Sequence, residues 1–272
     1  MKNILLFIFI ISIYSFTYAQ ETINFEFSYP ENSNFIVEQH TDTFGTMKIT
    51  GTPKEIEGLK KVGYNSNRKL KYLMTFTSNY ETGKRTEESF PFSFYYANIA
   101  LDIDSDGKKQ QKETGFPSVI LKGNIIAGKP RLTQPANTGS SEHDKFINAL
   151  PKYFEIDFPK VSGMKIGDSF ITKRITENKS SEFSFFGDLK YTLTKIEGAL
   201  AYFSIEIIVK SDANSHIKSS GKGKGEMIYN FKEKFIQFEK MTTTLDSEQD
   251  NKTFKIAAHN TIISSYELKI QK

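Results

Sequence analysis

The 272-residue sequence contains no cysteine and no tryptophan. Without cysteine there is no disulfide, no thiol nucleophile, no thiolate metal ligand and no N-terminal cysteine to carry a lipid anchor. Arginine is scarce: Arg68, Arg85, Arg131 and Arg174 are the four among 36 basic residues, and 32 acidic residues are interspersed with the lysines. Base readout in nucleic acid leans on bidentate arginine, so a net charge of +4 describes a mildly basic soluble surface and not a nucleic-acid partner. Histidine is limited to His40, His143, His216 and His259, and these form no HxH or HExxH spacing that would build a metal site. No GxSxG elbow occurs either. An enzyme is therefore not expected and no cofactor is implied. Hydrolysis by a carboxylate pair assembled only in space is the third-ranked reading.

The one long apolar run is at the start. MKNILLFIFIISIYSFTYAQ has Lys2, a largely apolar stretch from Ile4 to Phe16, and Thr17-Tyr18-Ala19 as a small-x-small cleavage signal. It reads as a secretory signal peptide over 1–19, too short for a membrane span of roughly 20 apolar residues. No transmembrane segment is expected in the mature chain. That chain is instead rich in aromatics, with 24 Phe and 13 Tyr. So much ring surface builds a large core or lines an apolar cavity.

Beyond the signal peptide, apolar residues recur with period two, the mark of half-buried strands. Tyr72, Met74 and Phe76 form one such run, Ala201, Phe203, Ile205, Ile207 and Val209 another, and Phe254 to Ile270 a longer one. Two segments depart from this period. TPKEIEGLKKVG offers Thr52 as N-cap, Pro53 at N1 and Glu55 closing a capping box, which predicts a helix near 53–62. SSEHDKFINAL, capped by Ser141 and stopped by Pro151, predicts a second over 141–150. The Pro-, Gly- and Ser-rich stretch before it reads as a linker. The expected fold is mainly β: two related lobes of long, curved antiparallel strands with two short peripheral helices. The expected boundaries are 20–133 for the N-terminal lobe, 134–140 for the linker and 141–272 for the C-terminal lobe. A weak repeat supports the division, with NFIVEQHTD (34–42) resembling SFITKRITE (169–177) and FGTMKIT (44–50) resembling FGDLKYT (186–192). On that basis each lobe should open with a hairpin.

Three stretches imitate functional motifs. DIDSDGKKQQKE (102–113) fits every constrained position of an EF-hand loop. Yet aromatic, β-branched sequence precedes it, and Gly115 and Pro117 follow it, so neither flank can be the required helix. A strand, a turn through Ser105-Asp106-Gly107-Lys108 and a returning strand explain the same letters. A non-EF calcium site at Asp102, Asp104 and Asp106 is the lesser alternative. GKGKGE (221–226) lacks Walker spacing and reads as a strand with Lys222 and Lys224 on one side and three glycines on the other. In MKIGDSF, Gly167-Asp168 turns the chain into a strand.

The order of GTPKEIEGLKKVGYN, ETGKRTEESFPFSFYY, FPKVSGMKIGDSF, LKYTLTKIEGALAYFSIEI and GKGKGEMIYNFKEKFIQFEKMTT resembles a family of exported Bacteroidota proteins grouped as a domain of unknown function. The resemblance spans nearly all of the mature chain. It implies export to the envelope and carries no known activity and no catalytic residue. There is also some likeness to the curved sheets of lipoprotein-carrier and outer-membrane lipid-binding proteins, an analogy of fold. Together these readings point to a non-catalytic envelope module for an apolar or lipid-like ligand, lined by Phe203, Ile205, Ile207 and Phe238. The alternative is a structural or interaction protein with filled cores, whose partner is another envelope protein. The expected location is the periplasm or the outer membrane's vicinity, without a lipid anchor.

Overall fold

A computed structural model describes residues 21–61, 65–87, 89–113, 120–126, 128–133, 144, 158–178, 183–211, 216–250 and 253–271. In chain order the strands are β1 (Ile23–Phe25), β2 (Asn34–Gly51), β3 (Asn67–Thr82), β4 (Ser89–Ser105), β5 (Lys108–Glu113), β6 (Leu121–Ile126) and β7 (Lys129–Leu132). They continue as β8 (Val161–Met164), β9 (Ser169–Asn178), β10 (Phe183–Glu197), β11 (Leu200–Ser211), β12 (Ile217–Asn230), β13 (Phe235–Asp250) and β14 (Phe254–Gln271). One helix, α1 (Pro53–Lys61), follows β2, capped as its letters predict: the Thr52 amide and hydroxyl both donate to Glu55 Oε2, at 2.7 and 2.8 Å. The second expected helix, 141–150, lies outside the described residues apart from Asp144.

Twelve strands form a single antiparallel sheet in the order β7-β6-β4-β3-β2-β14-β13-β12-β11-β10-β9, with β5 pairing β4 beside this path. The chain's two halves meet at β2 and β14, each 18 residues long and paired from end to end. At about 3.3 Å per residue such strands run close to 60 Å. The sheet therefore does not break between the halves. The expected opening hairpin of the first half is also absent: FGTMKIT continues β2, whereas its counterpart FGDLKYT lies in β10, one strand on from β9. The second copy has seven more residues between its two matches, which fall on successive, paired strands.

One face of the sheet, the inner face, holds all three apolar clusters. One lies on β9 to β13, one on β3, β4 and β6, and a small one of Phe35, Val37, Phe235 and Leu268 joins them. Strand β11 shows the alternation cleanly: Ala201, Phe203, Ile205, Ile207 and Val209 are all buried. Three bulges interrupt such alternation. Register shifts skip Ala97 in β4, Thr194 in β10 and Gln237 in β13, and each extra residue reverses which parity faces inward.

Candidate functional site

The base of the inner face is closed by the segment from Ile23 to Pro30, which we call the strap. It begins as β1, paired to β8, and then crosses the sheet's end. The Ser28 amide donates to Lys234 O at 2.6 Å in the β12–β13 turn, and Asn32 N donates to Gly83 O at 3.0 Å beyond β3. Alternation along the strap turns Phe25 and Phe27 toward the core. The Phe25 ring, with no exposed surface, lies 4.5 Å from Phe170, 4.6 Å from Tyr229 and 5.7 Å from Phe203. From Tyr29 the rings continue through Phe35, Tyr80 and Phe94, the last three nearly parallel at 4.9 and 5.1 Å. This stripe accounts for much of the phenylalanine and tyrosine excess.

Polar groups fasten the strap from outside. Glu26 receives Lys160 at 2.5 Å and Lys234 at 2.7 Å, and these two hydrogen-bonded ammoniums bring its carboxyl down to about 2. The Tyr229 hydroxyl donates to Glu26 O at 2.9 Å and accepts from Glu26 N, and burial pushes this phenol up to about 12. Arg85 joins Glu31 at 2.8 Å and Ser28 Oγ at 3.1 Å while lying over the Phe90 ring. A charged cleft of about 450 Å³ runs over the strap's outer side, between these groups.

Three of the four expected ligand-lining residues lie together here. Phe203, Ile205 and Ile207 belong to the cluster that Phe25 completes, so they are packed core. Phe238 is not with them. The extra residue Gln237 shifts the β13 register, so that Ile236 and Glu239 are buried while Phe238 pairs with Ile228 and Glu267, half-buried on the opposite face. In its place the inner face receives the carboxylate of Glu239, 5 % exposed, which accepts a hydrogen bond from the Tyr191 hydroxyl at 2.8 Å. Sequence reading missed Glu239 because uninterrupted alternation through IQFEKM points it to solvent.

Beyond the strap the inner face changes character. Leu70, Tyr72 and Met74 of β3 pair across β2 with Gly45, Thr43 and Thr41, and these in turn face Asn260, Ile262 and Ser264 of β14. All nine keep partial exposure, and Tyr72 is 37 % exposed. Leu101 and Ile103 of β4 extend the same rows. The result is a partly exposed patch of apolar side chains and small hydroxyls on the same face as the filled base.

The acidic stretch 102–113 is a β-hairpin. Ser105 pairs with Lys108, and Asp106 and Gly107 have φ of 55° and 82°, the double positive φ of a type I′ turn. Its carboxylates serve the local fold: Asp104 Oδ1 accepts from Gly107 N at 2.8 Å and Asp106 Oδ1 from Lys69 N at 2.7 Å. The Lys69 amide bond is also the main cause holding the Asp106 carboxyl below its ordinary range. Among the described residues no group of three or more acidic, histidine or cysteine side chains is placed to hold a metal ion. The glycines of GKGKGE face inward, and a Cβ at Gly221, Gly223 or Gly225 would come within 2.5 Å of a β13 carbonyl oxygen. Lys222 and Lys224 are exposed on the other side. No described helix is long and apolar enough to cross a membrane.

No family model and no curated protein matches the chain. Among solved structures it overlaps loosely with an outer membrane channel from Pseudomonas putida F1, at 7 % identity and a TM-score of 0.27, over 89 % of this chain and 97 % of that one. The CymD monoaromatic hydrocarbon channel matches at 8 % identity and a TM-score of 0.15, over 87 % of this chain and 69 % of that one. The Acinetobacter baumannii outer membrane protein Omp33 gives 7 % and 0.15, over 85 % and 97 %. Overlaps this loose carry no argument about function.

Proposed function

We propose that the chain is an exported, non-catalytic binding module of the cell envelope whose inner sheet face takes up an apolar or lipid-like ligand. The observation that carries this reading is the open apolar patch: Leu70, Tyr72, Met74, Leu101, Ile103 and Ile262 share the inner face with a fully packed aromatic base yet keep partial exposure. Apolar surface left open beside a core of the same face is a place for an acyl chain, with Thr41, Thr43 and Ser264 available to its polar end. The site thus shares the cross-strand rows of Ile205 and Ile207 but lies on β2, β3, β4 and β14, beside the packed cluster that Phe25 completes. The N-terminal segment supports export, and the lack of cysteine supports a module without a lipid anchor.

A fluorescent fatty-acid probe tests the reading. Saturable micromolar binding, displaced by unlabelled fatty acid and abolished by Met74→Asp or Ile262→Asp, is the expected result. The second reading, a structural or interaction protein of an envelope complex, is favoured by the completeness with which Phe25 fills the base. Absence of saturable binding by the intact protein would leave that one standing.

A further inference from the structure

On the outer face of the sheet, opposite the aromatic core, strands β9 to β12 carry two adjacent rows of side chains. One row runs Ile171, Lys190, Glu206, Lys224, and the next runs Lys173, Asp188, Ile208, Lys222. Cross-strand partners share a face, so these eight side chains form one patch spanning three strand spacings, about 14 Å. Two features set it apart. The isoleucines are 59 % and 52 % exposed, at positions where outward alternation calls for polar residues. The lysines outnumber the carboxylates four to two, and among the described residues only Lys190 of the four has a carboxylate within ion-pairing distance, Glu206 at 3.6 Å. Lys173 and Lys224 stand opposite Asp188 and Glu206 without closing an ion pair to them, and Lys222 has Ile208 and Thr244 as its cross-strand partners, so the patch keeps an excess of two positive charges beside exposed apolar side chains.

We infer that this patch docks the protein on an anionic lipid bilayer, a contact independent of whatever occupies the inner face. The excess ammoniums meet the negative surface potential, and Ile171 and Ile208 enter the headgroup boundary between them. β9 is an outer strand of the sheet's pairing order, so Ile171 and Lys173 lie at a rim. A chain with no cysteine for acylation has in such a patch a reversible means of reaching a membrane.

The test is co-sedimentation of the purified mature protein with vesicles of phosphatidylcholine alone and of phosphatidylcholine mixed with phosphatidylglycerol. Binding to the mixed vesicles alone, weakening as salt screens the charges, is expected. Lys222→Glu with Lys224→Glu should weaken it by at least about tenfold, since each lysine near an anionic surface is worth roughly fivefold. Ile208→Ser should weaken binding while leaving its salt dependence intact, and Lys54→Glu on α1 should change nothing. All these side chains are exposed, so circular dichroism should show unaltered folding. Equal binding to both vesicle types, no binding to either, or a Lys222/Lys224 double variant that binds like the parent would each overturn the assignment.

Discussion

Glu26 is the residue whose chemistry reaches furthest from its place in the chain. Two lysines, one beside β8 and one in the β12–β13 turn, converge on it, and its carboxyl titrates at about 2 instead of 4.5. A depressed folded-state value means that the native state is favoured as long as the carboxylate is ionised. That contribution is complete above the unfolded value near 4.5 and is lost as the pH falls toward 2. Its side chain is 34 % exposed, so solvent screening reduces the effect to about 1–2 kcal/mol. Glu26→Gln should therefore lower stability by that amount at pH 7, and parent and variant should converge near pH 2. Urea unfolding at both pH values would reveal it, and an equal gap at both would rule out the ion pairs as its source. At Asp104 and Asp106 the expectation is the opposite of a metal site. Their oxygens already accept from Gly107 and Lys69 amides, so millimolar Ca²⁺ should leave the melting temperature unchanged, whereas Asp106→Ala should lower it.

At the scale of elements, β12 shows most clearly how close an approach of neighbouring strands the sequence permits. Gly221, Gly223 and Gly225 lie between Val209, Ile207 and Ile205 on one side and Leu245, Thr243 and Met241 on the other. The missing side chains let β13 approach until a Cβ at Gly223 would stand 2.5 Å from Thr242 O and 2.9 Å from Thr243 Cα. Backbone cannot yield as a side-chain tip can, so Gly223→Val should cost about 2–3 kcal/mol, while Lys222→Val on the exposed side should cost little. Thermal unfolding of the two variants compares them directly. This strand was legible in the sequence, as were the capped helix α1, the Asp106-Gly107 turn and the alternation of β11, because each depends on neighbours within a few positions. The positions of Phe238 and Glu239 were not. A single extra residue at Gln237 inverts the parity after it, and a bulge leaves no local mark in residue type. The strap was equally hidden, since its partners Tyr229, Lys160 and Lys234 lie more than 100 positions away.

Across the whole molecule, the halves that the linker suggested are fastened together in two ways. β2 is hydrogen-bonded on one side to β3 of its own half and on the other to β14, over its full 18 residues. The strap leaves β1 against β8, packs Phe25 into the C-terminal cluster and then sets Tyr29 against Phe35 and Tyr80 of the N-terminal strands. Cutting the chain after residue 133 would expose β2 as a long unpaired edge, strip Phe25 of its ring partners Phe158, Phe170, Phe203 and Tyr229, and take Phe158 from Phe27, losses that 20–133 cannot replace from its own side chains. The intact protein should accordingly unfold in urea in one transition, with far-ultraviolet circular dichroism and tyrosine fluorescence coincident. Residues 20–133 produced alone should lack a cooperative transition and aggregate. Should that fragment instead give native-like dichroism and a transition of its own, the β2–β14 junction would be an interface between two self-sufficient units, and the strap a clasp added across them.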